Sequence, residues 1–317
     1  MVKTITDVLA ETRGMTPEAA RGHIQAHYIA LLRKQPRDSF TIDMDIAFGP
    51  HERHRLDVHV PKTKPAEKMP VVMFFFGGGF VRGHKNEHGE WIYGNVADFF
   101  ARNGMIGING NYRLAPDTQW PGGAQDVGAA VAWARQNVAQ YGGDPERIFI
   151  AGHSSGATHV ATYALRPELH PKDGPQKGPG IAGVMILSGG FYLTPDKPDP
   201  NHLAYYGPVE QWAARALIPA ATWGDDFEVF LSTAELEPYS FNRSFTAMVD
   251  ALTQRSGRMP RVAHFLGHNH FSEQMAIGSG DEQIESALLG FVKDTLAKRD
   301  AKQTNRMKAP QLKEIGT

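Results

Sequence analysis

Three side-chain types able to carry out acyl chemistry stand far apart in this chain: a serine at 154, carboxylates at 235 and 237, and histidines at 268 and 270. Ser154 lies in Gly152-His153-Ser154-Ser155-Gly156, directly after the apolar run Ile148-Phe149-Ile150-Ala151. A G-x-S-x-G turn leaving a buried strand presents the hydroxyl at the tip of a strained bend. Glycine two residues to either side lets the strand and the departing helix approach closely. Glycine and serine are common in turns, so the pentapeptide gains its meaning from what accompanies it.

Gly77-Gly78-Gly79-Phe80 follows a second apolar run that ends at Phe76. Attack on an acyl carbonyl creates an oxyanion, and backbone N–H groups stabilise it if no side chain blocks their approach. The expected donors are Gly78, Gly79 and Ser155; the plainer alternative for the glycines is a flexible turn. The base must be a neutral imidazole that takes the hydroxyl proton and returns it to the leaving group. His270 is favoured and His268 is the alternative, in a chain whose 14 histidines are mostly ordinary surface or core residues. For the acid that orients the imidazole, Glu237, just before Pro238, leads and Glu235 is second. The order Ser154, Glu237, His270 is the one expected of an α/β-hydrolase sheet and not of the two major serine-protease architectures.

Positioning these groups requires a sheet. Apolar runs predict strands over 71–76, 105–109, 148–151, 183–187, 229–233 and 261–266. Helical spacing predicts helices over 126–141 and 282–298. Alternating strands and helices imply an α/β fold with a mainly parallel central sheet flanked by helices, and functional residues then gather at the strands' carboxyl ends. The expected organisation is a single domain over 1–317, with cap elements at about 1–38 and 190–225 and a frayed polar tail at 301–317. Thr16-Pro17-Glu18 reads as the start of a helix running to about Lys34. The second cap segment holds Phe191, Tyr192, Tyr205, Tyr206, Trp212 and Trp223. These aromatics either line an apolar pocket or pack the cap onto the sheet. Phe80, Phe191, Trp212 and Phe271 are the expected substrate contacts.

Asn111-Tyr112-Arg113-Leu114-Ala115-Pro116, Trp120-Pro121 and Tyr141-Gly142-Gly143-Asp144-Pro145-Glu146-Arg147-Ile148 complete a pattern. Over roughly residues 40–298 it resembles the hormone-sensitive-lipase-like carboxylesterases of the α/β-hydrolase fold. The resemblance implies hydrolysis of small or medium carboxylic esters without a cofactor, a cap that shapes the pockets, and in many relatives a homodimer formed through the last strand or its helix. Two departures stand out. Phe76 occupies the position where the group usually has histidine, so packing must hold the glycine loop; and the acid is Glu237 where aspartate is commoner. The Gly267-to-Glu273 segment is equally similar to the kynurenine formamidase branch, which cleaves an activated N-formyl amide. Amidase or arylformamidase action therefore stands beside esterase action, and a non-catalytic hydrolase-fold binding protein is the alternative from another class.

Competing signals are weaker. His84-Lys85-Asn86-Glu87-His88 matches an inverted zinc-peptidase motif. It is bracketed by Gly83 and Gly89 where a helix would be needed, so a solvated loop is expected and no metal. The stretch from His51 to His59 reads as a half-exposed edge strand. Arg113 and Asp126 are candidates for an ion pair beneath the glycine loop. A formal net charge of −1 and a pI near 6.9 offer no electrostatic case for nucleic acid or an anionic membrane surface. Without cysteine there is no disulfide framework and no thiol nucleophile. Residues 1–14 lack the apolar core of a signal peptide, and no run approaches the roughly 20 apolar residues that span a bilayer. These features fit a cytoplasmic enzyme acting on a small-molecule ester or activated amide.

Overall fold

The computed structural model describes residues 4–89, 91–173 and 177–308. Helices α1 (Ile5–Glu11) and α2 (Pro17–Leu32) precede strands β1 (Phe40–Ala47), β2 (Arg55–Pro61) and β3 (Met69–Phe75). Then come α3 (Gly94–Arg102), β4 (Ile106–Gly110), α4 (Gly122–Asn137), β5 (Gly143–His153), α5 (Ser155–Leu165) and β6 (Gly183–Leu187). An insertion follows, with short helices α6 (Pro200–Tyr206), α7 (Trp212–Arg215) and α8 (Leu217–Ala220). The chain continues with β7 (Glu228–Leu236), α9 (Tyr239–Ser256), β8 (Arg261–Asn269), α10 (His270–Met275) and α11 (Glu282–Lys308).

The strands form one eight-stranded sheet in the order β1-β2-β4-β3-β5-β6-β7-β8. Only the pairs β1–β2 and β2–β4 are antiparallel. Helices cover both faces of the parallel part, which is why β3 reads as an unbroken apolar run with Val71 to Phe75 almost fully buried. The register aligns the carboxyl ends: Phe75 pairs with Gly152, His153 with Leu187, and Leu236 with Asn269. The segments that follow these strands, including the glycine loop, Ser154, Ser188, Glu237 and His270, therefore emerge along one edge.

Several boundaries differ from the sequence reading. The segment around His59 is no edge strand: β1 pairs with its outer side, and Asp57 and His59 are buried against Lys85 and Asp98. Helix α4 begins at Gly122, four residues early, and becomes a 3-10 turn over Val138–Tyr141. Strand β8 runs on to Asn269, absorbing residues expected in a loop. Helix α11 continues through the first part of the expected tail to Lys308; residues 309–317 lie outside the described residues. Helix α2 starts where expected, with Thr16 accepting the N–H of Ala19 at 3.3 Å.

Candidate active site

Ser154 occupies the bend between β5 and α5 with φ 56° and ψ −120°, a conformation that a non-glycine residue rarely adopts. Its neighbours make that bend possible. A Cβ on Gly152 would collide with the Gly156 carbonyl, and a Cβ on Gly156 with the carbonyl oxygens of Phe75 and Phe76. The Ser154 N–H is tied to Leu187 O at 3.0 Å, which anchors the turn to β6.

His270 is the first residue of α10, and Asn269 caps that helix by accepting the N–H groups of Phe271 and Ser272. The start of the helix turns the imidazole toward β5. Its Nε2 lies 3.0 Å from Ser154 Oγ, and its Nδ1 lies 3.0 and 3.1 Å from the two Glu237 carboxyl oxygens. His268, the alternative base, is directed elsewhere, to Asp281 at 3.1 Å and Ser272 at 3.2 Å. Glu235, the alternative acid, is exposed and accepts the Gly267 N–H at 2.7 Å, joining β7 to β8. Strand β7 ends at Leu236 and Pro238 opens the next helix, so Glu237 alone turns inward.

Burial shapes the charges. It pushes the His270 imidazole down from its ordinary value, with the Arg21 charge acting in the same direction. It pushes the Glu237 carboxyl up, against the lowering effect of a hydrogen bond from Ser188. His153, the second residue of the pentapeptide, is held well below the ordinary imidazole value by burial and by His270. Its neutral ring donates from Nε2 to the His270 carbonyl at 2.7 Å, fixing the backbone that carries the His270 imidazole.

Beside Ser154 lies a cavity of about 210 Å³ lined by Gly79, Phe80, Ser155, Tyr192, Asn201 and Phe241, among others. Among the described residues, the N–H groups of Gly79 and Ser155 have no hydrogen-bond acceptor. Gly78 stands otherwise than expected. Its N–H donates to Ser155 Oγ at 3.0 Å, and its lack of a side chain serves the close approach of the Arg82 carbonyl.

Of the expected substrate contacts, only Phe80 lines the cavity. Phe191 is buried in the core, and Trp212 is buried with its indole N–H on the Gly207 carbonyl at 2.8 Å. Phe271 lies under Arg21, 5.6 Å from its guanidinium carbon. Phe80 stacks on Tyr205 at 4.5 Å, so several insertion aromatics pack the glycine loop and do not face the cavity. The lining residues that sequence reasoning did not single out are mostly polar: Thr158, Asp199, Asn201, His202, Ser240 and Ser244. Phe241 was also missed, although its position four residues after Glu237 was a usable signal; its ring lies 4.2 Å from that of His270.

Supporting pairs surround the site. Arg113 and Asp126 form the anticipated ion pair at 2.6 Å, joined by His54 at 3.1 Å. The 84–88 segment is not solvated throughout, because Lys85 is buried against Asp57 at 2.6 Å and Asp45 at 2.9 Å, while Glu87 pairs with Arg21. Among the described residues no three His, Asp or Glu side chains gather as a metal-ligand set. No described helix is long and apolar enough to cross a membrane.

A family model described as BD-FAE matches residues 56–172, the stretch holding the glycine loop and Ser154. Esterase LipC of Mycobacterium tuberculosis is 34% identical over 119 residues, covering 38% of this chain and 28% of that protein. Esterase B1 of Culex pipiens is 31% identical over 128 residues, covering 37% and 23%. The matches thus span about a quarter of the length of these curated relatives. Among solved structures, esterase B from Lactobacillus rhamnosis superposes with a TM-score of 0.70 at 16% identity, over 95% of this chain and 99% of that one. A further structure of that esterase, inhibited by a tributyrin phosphonate, gives a TM-score of 0.69 at 17% identity, over 94% and 98%. The fold is the α/β-hydrolase fold.

Proposed function

We propose that this protein is a serine hydrolase that cleaves small to medium carboxylic esters through an acyl-enzyme, in the manner of the hormone-sensitive-lipase-like group. One observation carries the reading: Ser154, His270 and Glu237 form an unbroken chain of hydrogen bonds of 3.0 Å each, and the hydroxyl faces a cavity that two unpartnered backbone N–H groups also line.

In this reading Ser154 Oγ attacks the ester carbonyl carbon while its proton passes to His270 Nε2. Glu237 accepts the Nδ1–H bond and stabilises the imidazolium. The carbonyl oxygen, now negative, takes hydrogen bonds from Gly79 and Ser155, each such donor being worth roughly 3 kcal/mol in the transition state. The C–O bond breaks, and the alkoxide leaves with the proton from Nε2. Water, deprotonated by the same nitrogen, then attacks the acyl-enzyme and releases the acid. The cavity volume favours short acyl groups, and the Phe80, Tyr192 and Phe241 rings supply apolar walls. The N-terminal helices and the insertion act as the cap.

Ser154→Ala should abolish turnover of a short p-nitrophenyl ester while leaving the circular dichroism spectrum unchanged. Persisting turnover in that variant refutes the assignment. Rapid labelling of Ser154 by an organophosphate separates an enzyme from a binding protein. Comparing kcat/KM on matched ester and N-formyl substrates separates esterase from formamidase action.

A further inference from the structure

Ser188 follows β6 with a φ of 45°, unusual for a residue other than glycine. The bend carries its hydroxyl between two buried carboxyl groups. Ser188 Oγ is hydrogen-bonded both to Glu237 Oε1 and to Glu273 Oε2. A second hydroxyl, Ser232 Oγ, donates to Glu273 Oε1 at 2.6 Å. Glu273 is 0% exposed, and among the described residues no cationic side chain forms an ion pair with it.

The hydrogens do not balance if both acids are ionised. Ser188 has one hydroxyl hydrogen and faces two carboxyl oxygens. If it donates to one, its lone pair meets the other, and a carboxylate cannot donate in return. One carboxyl must therefore carry a proton. Glu237 faces the His270 Nδ1–H with both oxygens and has to accept. Glu273 faces only hydroxyls and lies deeper.

We propose that Glu273 is a neutral carboxylic acid that donates to Ser188, which in turn donates to Glu237. It is a positioning residue: it keeps its proton through the cycle and holds the triad carboxylate ionised and aimed at His270. The role rests on the esterase reading, but the protonation state does not. The ionisable groups facing Glu273 are Glu237 at the end of β7 and His268 on β8, the latter held by Asp281 at 3.1 Å. Burial first, then the Glu237 charge, pushes the Glu273 carboxyl up to about 7, against the two serine hydroxyls and His268. Burial raises Glu237 to about 7 as well, so it is the hydrogen-bond geometry that assigns the proton to Glu273.

The test has a spectroscopic arm and a kinetic arm. Infrared difference spectra of wild type against Glu273→Gln at about pH 6, where an ordinary glutamate is ionised, should show a protonated-carboxyl stretch in wild type alone. Carbon NMR of the wild type labelled at glutamate carboxyls should show one neutral signal under the same conditions, with no variant needed. In kinetics, Glu273→Gln keeps a neutral donor and should stay within about threefold of wild-type kcat, whereas Glu273→Ala, which leaves Ser188 without its donor, should lose about tenfold or more. Absence of a neutral carboxyl in wild type, or its survival in Glu273→Gln, overturns the proposal. So does a Glu273→Gln variant as impaired as Glu273→Ala. If the Ser154 assignment itself fails, the spectra still decide where the proton resides.

Discussion

Tyr112 Oη donates to the Phe76 carbonyl at 2.9 Å, and the two rings stack with their centroids 4.4 Å apart. The pair answers the question raised by Phe76, which cannot hydrogen-bond as a histidine would. The loop after β3 is held from below by a tyrosine hydroxyl that also lies 3.3 Å from Ser155 Oγ. Tyr93 adds a bond to the Gly77 carbonyl at 3.0 Å, and Arg53 donates to the Gly83 carbonyl at 2.9 Å.

Tyr112→Phe keeps the stacked ring and removes the hydroxyl. A buried carbonyl then loses its partner, at a cost of about 1–3 kcal/mol. The expected outcome is a lower melting temperature and a kcat reduced about tenfold, with KM little changed, because in the proposed mechanism the loop presents the Gly79 donor. Unaltered kcat with lowered stability would limit Tyr112 to a purely structural role.

Gly156→Ala tests the steric account of the Ser154 bend. The added methyl meets two backbone carbonyl oxygens, of Phe75 and Phe76, which cannot rotate aside. Overpacking of this kind costs typically 1–3 kcal/mol. Chemical denaturation should show at least that loss, together with a collapse in ester turnover as Ser154 shifts from His270. A variant of normal stability and activity would contradict the assigned geometry.

In the proposed mechanism the acid limb of kcat/KM reports His270, which must be neutral to accept a proton. Burial and the Arg21 charge both lower the His270 value, so activity should persist below the ordinary imidazole value of about 6.5 and fall only as pH drops further. Arg21→Met removes one of the two lowering influences and should move the limb upward. The linked stability has the same sign. The folded state resists protonating this histidine, so the stabilisation is complete above the unfolded value and declines as pH falls toward the folded one. Rate profiles of both proteins on one ester check this, and an Arg21→Met limb displaced downward would overturn it.

The bend at Ser154 was legible because its cause is local: it needs its two flanking glycines, and five consecutive residues record that need. The glycine loop and the strand beneath it were legible for the same reason. The choice between Glu235 and Glu237 was not, since both share the same parity along a strand. Only the end of β7 at Leu236 and the turn at Pro238 send one inward. His268 and His270 posed the same problem, resolved by the switch from strand to helix at Asn269.

The one-dimensional pattern determined that this chain makes a helix-flanked, mainly parallel sheet with a serine bend at one strand end, because hydrophobic runs and turn sterics act over a few residues. Folding alone decided which histidine meets Ser154 and which acid meets that histidine, that the Gly78 N–H donates to Ser155 Oγ, and that Trp212 and Phe191 pack the interior. Those outcomes depend on register and close packing between segments dozens of residues apart. The contact of Ser188 with Glu273, 85 positions away, leaves no periodicity for a linear reading to find.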